Sequence, residues 1–380
     1  MSTVRPVILA FIGLVVSFQV AAAEVPRFYT LGHLPDGKNT LAFGLSGDGS
    51  TVVGFSSSAS REEAFRWREA DGLLGLGDLQ GAAFRSRAFA ASEDGSVVVG
   101  DGESSPGRRQ AFRWTASGGM QGLGFLPGGW FESVARATSA FGDVVVGQSR
   151  TDSGEEAFRW TSITGMQGLG DFPGGLYSSI AQDVTSDGAV ICGQGWSDLG
   201  PEAFRWDASG GVQGLGDLPG GEYLSGATAM NSDGSVIAGF GNTGPGLEGF
   251  IWTSAGGMES LGDLPGGRVQ CIPLDVSDDG SIVVGYDVFD ETRTDAFLWQ
   301  RGTGMRRLED VLTEFGIDMS GWLLTDATGI SRDGTTITGY GIGPFGLTEA
   351  WVAVIPDPAT APMVAIALVA VLQRRENRCD

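Results

Sequence analysis

Histidine is nearly absent from this chain of 380 residues, which carries only His33. A Ser-His-Asp relay needs an imidazole to move the proton, and His33 fills the aspartate slot of a repeated loop, so that chemistry has no candidate base. Lysine is as scarce: Lys38 stands alone, and 24 Lys and Arg face 46 Asp and Glu for a net charge of −22. No basic surface exists to neutralise phosphates, which argues against nucleic acid as a partner. The three cysteines, Cys192, Cys271 and Cys379, are an odd number without regular spacing. They make no disulfide framework, and Cys192, at a strand position held by valine in sister segments, is expected to be a buried thiol. No His/Cys cluster has zinc spacing and no phosphate-binding loop opens a helix, so neither a metal nor a cofactor is expected.

Long apolar runs are also missing. The longest, Val7 to Val20, is 14 residues, against the roughly 20 needed to span a bilayer. Preceded by Arg5 and followed by Ala21, Ala22 and Ala23, it reads as a secretory signal over residues 1–23, cut between Ala23 and Glu24. Charged residues make up 18% and hydrophobic ones 42%, enough apolar material for a core. The 63 glycines therefore mark turns rather than disorder.

What is abundant is repetition. Ala-Phe-Arg-Trp begins at residues 64, 111, 157 and 203, and continues as Gly-Phe-Ile-Trp at 249, Ala-Phe-Leu-Trp at 296 and a worn copy at Ala350-Trp351. These starts lie 47, 46, 46, 46, 47 and 54 residues apart. A second motif runs from Asp-Gly through β-branched residues to Gly, as from Asp94 to Gly100; the third unit has Phe141 where the aspartate belongs. A third motif, Leu-Gly-Asp-Leu-Pro-Gly-Gly, is intact at 215–221 and 261–267. Strand-forming runs alternate with Gly, Pro, Asp and Ser clusters, which predicts a four-stranded meander per period and no helices. Such units stack as a ring or as a solenoid. Two features favour the ring. Small residues, as in Gly226-Ala227-Thr228-Ala229, suit strands crowded around an axis, and the chain enters with a lone strand at Phe28–Leu34 while its seventh unit stops one strand short. The expected fold is an all-β, seven-bladed β-propeller over residues 24–355, closed by the N-terminal strand, with a β-solenoid as the alternative.

Together the three motifs resemble the HAF family of bacterial extracellular repeats. The resemblance implies export and a repeat architecture and supplies no catalytic residues. The tail over 356–380, with Pro356, Asp357 and Pro358, an apolar stretch from Met363 to Leu372 and Arg374-Arg375, looks like a PEP-CTERM sorting signal in which Asp357 stands for the usual glutamate. That resemblance implies export and sorting machinery as partners, and an exopolysaccharide setting.

Asp78, Asp171, Asp217 and Asp263 recur at one repeat position, where they are expected either to cap the turn before Pro-Gly-Gly or to meet a repeat arginine such as Arg66, Arg113, Arg159 or Arg205. Phe and Trp of Ala-Phe-Arg-Trp share a strand face at spacing i, i+2 and are expected in the core between blades. The candidate binding residues are aromatics just beyond the Pro-Gly-Gly positions: Phe84, Phe131, Tyr177 and Tyr223. They could stack on sugar rings, or wedge blades apart. Two functions follow. One is a monomeric, non-enzymatic module that binds polysaccharide or a surface protein. The other is a carbohydrate-active propeller enzyme using loop carboxylates such as Glu132, Asp198, Asp287 and Asp290; acids of different blades converging in a central pocket would favour it.

Overall fold

The computed structural model describes residues 25–57, 61–80, 84–105 and 107–356. Their strands form seven four-stranded antiparallel sheets arranged as a seven-bladed β-propeller. Six blades are simple meanders, as in the third: Ser133–Thr138, Val144–Arg150, Glu155–Thr161 and Gly165–Gly168, from axis to rim. The seventh is built from Leu323–Ile330, Thr336–Ile342 and Thr348–Val354, completed by the entering strand Arg27–Thr30. Thr30 pairs with Trp351 and Arg27 with Val354, the closure that the lone first strand predicts. The signal segment, the cleavage position Ala23-Glu24 and the sorting residues Asp357 and Pro358 lie outside the described residues, and Pro356 is the last of those described.

Each Asp-Gly turn works as the motif requires. Asp94 accepts from the Ser96 backbone N–H at 2.9 Å and the Ser92 hydroxyl at 3.0 Å, while Gly95 takes φ 63°, a conformation that glycine adopts without penalty. In the third blade Asp143 takes over as acceptor for Ser139 Oγ, and Phe141 is left exposed. The glycine that ends the same motif has a separate cause. In all seven blades the innermost strand carries a β-bulge one or two residues from this glycine's partner, as between Ala135 and Ala137 opposite Gly147. A Cβ at Gly147 would lie 1.9 Å from the Val134 carbonyl oxygen, so no side chain fits there.

Seven clusters of buried apolar side chains fill the seven blade junctions. Phe158 faces the second blade and its neighbour Ala157 faces the fourth, so Ala-Phe serves both junctions of its blade. The motif phenylalanines are fully buried from Phe65 to Phe297. The tryptophans are less so than the repeat pattern predicts: Trp67 and Trp114 are buried, but Trp160, Trp206, Trp252 and Trp299 are half-buried. Cys192 and Cys271 are buried free thiols.

The long last period corrects the expectation of no helix. Leu308–Glu314 is helical and buries Leu308, Val311 and Leu312 where four of the other junctions have a Pro-Gly-Gly loop. At the Asp-Gly end, backbone hydrogen bonds pass from blade to blade, as Glu93 N–H to Ala140 O at 3.0 Å, Ala140 N–H to Ser186 O at 3.1 Å and Arg332 N–H to Gly47 O at 3.0 Å. Arg332 also reaches over Gly47 to pair with Glu93 at 2.8 Å, tying blade seven to blade two.

Candidate functional site

The bulges shape the axis of the ring. A bulge re-aims one side chain, and here it sets Phe43, Phe89, Arg136, Gln182, Thr228, Leu274 and Thr328 around a channel of about 610 Å³. No two adjacent blades past the second repeat the same residue at this point, whereas the flanking Ala135, Ala181 and Ala227 are alike and buried. The small residues that the sequence places at the axis thus line the junctions, and bulky ones enter the channel.

One side of the channel is aromatic. Phe43 stacks on Phe89 at 5.5 Å and 25°, touches Phe55 at 5.4 Å, and meets Tyr340 edge-on at 6.3 Å. Beside them Arg136 lies over the Phe89 ring at 5.4 Å and donates its Nε–H to Gln148 Oε1 at 3.0 Å. Burial lowers the pKa of this guanidinium.

Four acids from three blades also line the channel: Asp183, Asp275, Asp278 and Asp326. Asp183 accepts from the backbone N–H groups of Val184 at 2.7 Å and Met230 of the next blade at 2.8 Å. Asp275 does the same with Val276 and Ile330, both at 2.8 Å. Burial pushes Asp183 up to about 6 and Asp275 up to about 7, against the opposing pull of those N–H bonds and of Arg332. Asp326 is raised by burial and held by Thr325 and Tyr340. Convergence of acids therefore occurs, but Asp183 and Asp275 spend their oxygens as struts between inner strands.

The loop aromatics lie at the opposite end, where the Pro-Gly-Gly loops and the second-to-third strand loops meet. Phe84, Phe131 and Tyr177 are exposed by 38%, 48% and 40%, and Tyr223 is half-buried. Each has a structural partner on one side: Arg61 lies over Phe84 at 5.3 Å, Arg108 over Phe131 at 4.1 Å, and Phe125 meets Phe131 edge-on at 5.6 Å. The Tyr177 hydroxyl bonds Glu156, and burial together with that bond pushes the phenol up to about 12; Tyr223 is raised likewise, by burial and then by Glu202. Phe131 has φ 46°, uncommon for a bulky residue. Sequence reasoning missed Trp130, the neighbour exposed by 77%; its place directly after Pro127-Gly128-Gly129 was the available signal.

Of the two roles open to the repeated loop aspartates, the capping role is observed. Asp78 accepts from Leu79 and Arg85, Asp171 from Phe172 and Ser178, and Asp217 from Leu218 and Leu224, all through backbone N–H groups. The arginines go elsewhere, Arg113 to the Gly142 carbonyl at 2.8 Å and Arg205 to Asp207. Where the loop has His33 or Phe125 instead, a serine of the following blade replaces the carboxylate: Leu34 N–H donates to Ser56 Oγ at 3.2 Å and Leu126 N–H to Ser149 Oγ at 3.1 Å. Where the loop has Asp78, Asp171 or Asp217, that blade position is Gly102, Gly195 or Gly241. Only Asp263 faces a second acid, Asp287, a fully buried strand residue rather than the loop carboxylate expected. Burial, then the hydrogen bond and charge of Asp263, raise Asp287. Glu132 pairs with Arg150 at 3.7 Å, and Asp290 accepts from Thr292. Neither these two nor Asp198 or Asp287 lines the channel.

No family model and no curated protein matches this chain. Solved structures do resemble it. An oligogalacturonate lyase in complex with manganese is 14% identical, with 87% of this chain and 94% of that one covered at a TM-score of 0.55. The oligogalacturonate lyase of Vibrio parahaemolyticus is 10% identical, with 88% and 98% covered and a TM-score of 0.54. The match to TolB from Acinetobacter baumannii, 15% identical with a TM-score of 0.48, covers 67% of this chain and 62% of that one. At these identities the likeness is one of fold. Among the described residues no helix is long and apolar enough to cross a membrane.

Proposed function

We propose that this protein is an exported, non-enzymatic binding ring of the cell envelope or an exopolysaccharide matrix, and that its Pro-Gly-Gly face docks on glycan. The observation that carries this reading is the row of half-open aromatics at successive blade junctions, Phe84, Phe131 and Tyr177. Guanidinium or phenylalanine supports hold two of these rings from one side, leaving ring area that can stack on the apolar face of a sugar. Trp130 adds exposed area beside Phe131.

The carbohydrate-active alternative needs two free carboxyls placed together. Glu132, Asp198 and Asp290 stand on loops of different blades or junctions, Asp287 faces Asp263 but is fully buried away from the channel, and of the channel acids Asp183 and Asp275 already serve backbone N–H groups while Asp326 is held by Thr325 and Tyr340. Export and sorting rest on the two terminal segments and their resemblances. A glycan array probed with the full chain tests the reading. Retention on polysaccharides without any change in their chain length is the expected result; cleavage of a bound polysaccharide would replace it with the enzymatic alternative.

A further inference from the structure

Arg136 is the one charged residue among the seven bulge positions. Its Nε–H is bonded to Gln148, and among the described residues its four other N–H groups meet no acceptor, although guanidinium carries five donors. Among the described residues no carboxylate stands within ion-pair distance of it, and Asp101 and Glu155 act on it only from farther off. Every other charge at the channel is engaged: Arg332 with Glu93, Asp183, Asp275 and Asp278 with backbone N–H groups, and Asp326 with Thr325 and Tyr340. Arg136 is half-buried, and donors left free at the channel wall are ones that an anion can complete as a charge-assisted fork.

Next to this cation is the Phe43–Phe89 stack, and on the following blades Gln182 and Thr228 offer neutral polar groups. The channel volume, about 610 Å³, falls within the roughly 300–1,000 Å³ usual for small-molecule sites. We propose that the channel binds a small ring-bearing carboxylate, whose anion forms a fork with Arg136 while its ring lies against Phe43 and Phe89. This site is at the axis and does not depend on the glycan-docking face.

Titration calorimetry on the full chain with benzoate and with glucuronate, each against its neutral amide, tests the site and separates an aromatic ring from a sugar ring. One of the two carboxylates is expected to bind at least about tenfold more tightly than its amide, the scale of one charge-assisted fork. Arg136→Gln should remove that preference. Gln182→Glu, which sets an internal carboxylate at the neighbouring bulge, should block the probe while Arg136 is still present, so that the result does not rest on one variant folding. Equal binding of acid and amide, no binding of either acid, or unchanged binding by folded Arg136→Gln would each overturn the proposal.

Discussion

Asp263 and Asp287 bring two carboxyl groups to a position that five other junctions build around one acceptor. No N–H or O–H reaches Oδ1 of either, and the Leu264 N–H lies 3.5 Å from Asp287 Oδ2, longer than its counterparts at Leu34 and Leu126. Burial and the neighbouring Asp263 carboxyl raise Asp287, so the site disfavours a second negative charge. Asp287→Ser would recreate the arrangement of Ser56 and Ser149 and remove the uncompensated charge. It is expected to stabilise the ring by about 1–3 kcal/mol, the usual cost of an unsatisfied buried polar group. Thermal melts should show the gain growing from pH 5 to pH 8, because over that range folded Asp287, raised to about 8, holds a proton that the unfolded chain has already given up; a variant that melts lower than wild type at pH 8 would refute the assignment.

Asp183 and Asp275 set a second pH dependence. Their folded pKa values, about 6 and about 7, lie above the ordinary aspartate value, so between that value and about 7 the folded state holds protons that the unfolded state has lost. Stability therefore falls as pH rises through this window and levels off above it. Asp183→Asn, which keeps an acceptor oxygen without the charge, should flatten the slope of melting temperature between pH 5 and pH 7.

The junction cores rest on phenylalanine more than on tryptophan. Phe158→Ala should cost about 3–5 kcal/mol, the range for deleting a large buried aromatic, and half-buried Trp160→Ala distinctly less. Arg159→Leu should change little, since Ile251 and Leu298 already occupy that position in sister blades. Denaturant melts of the three variants give the ranking.

Closure makes the N-terminal strand part of the last blade. Deleting residues 25–34 strips the Trp351–Val354 strand of its outer partner and removes Leu31 and Leu34 from the first junction. A sharp drop in melting temperature is expected. Melting at the parent temperature would show that the ring holds without its clasp.

Blade number, strand order and closure were legible in the sequence because each rests on local chemistry that recurs: turn glycines, alternating strands and a count of strands at the two ends. The helix Leu308–Glu314 was hidden because seven residues carry too little period to stand out from a loop. The channel was hidden for another reason. Whether Arg136 points at the axis or into a junction is decided by a one-residue bulge, and a bulge leaves no mark in composition. The Asp263–Asp287 pair was half visible, since the exchange of Asp for Ser or Gly across each junction is written in the repeats, but only contact shows which positions face each other.

The loop aromatics decide the central claim. Phe84→Ala, Phe131→Ala and Tyr177→Ala combined in the full chain should abolish retention on whichever glycan the unaltered chain binds, while the melting temperature stays nearly unchanged, because these rings are half open and sit outside the junction cores. Measured side by side on the same immobilised glycan, lost binding with an intact melt is the result this account expects. Unaltered binding, or a collapse in melting temperature, would assign the rings to architecture and contradict it.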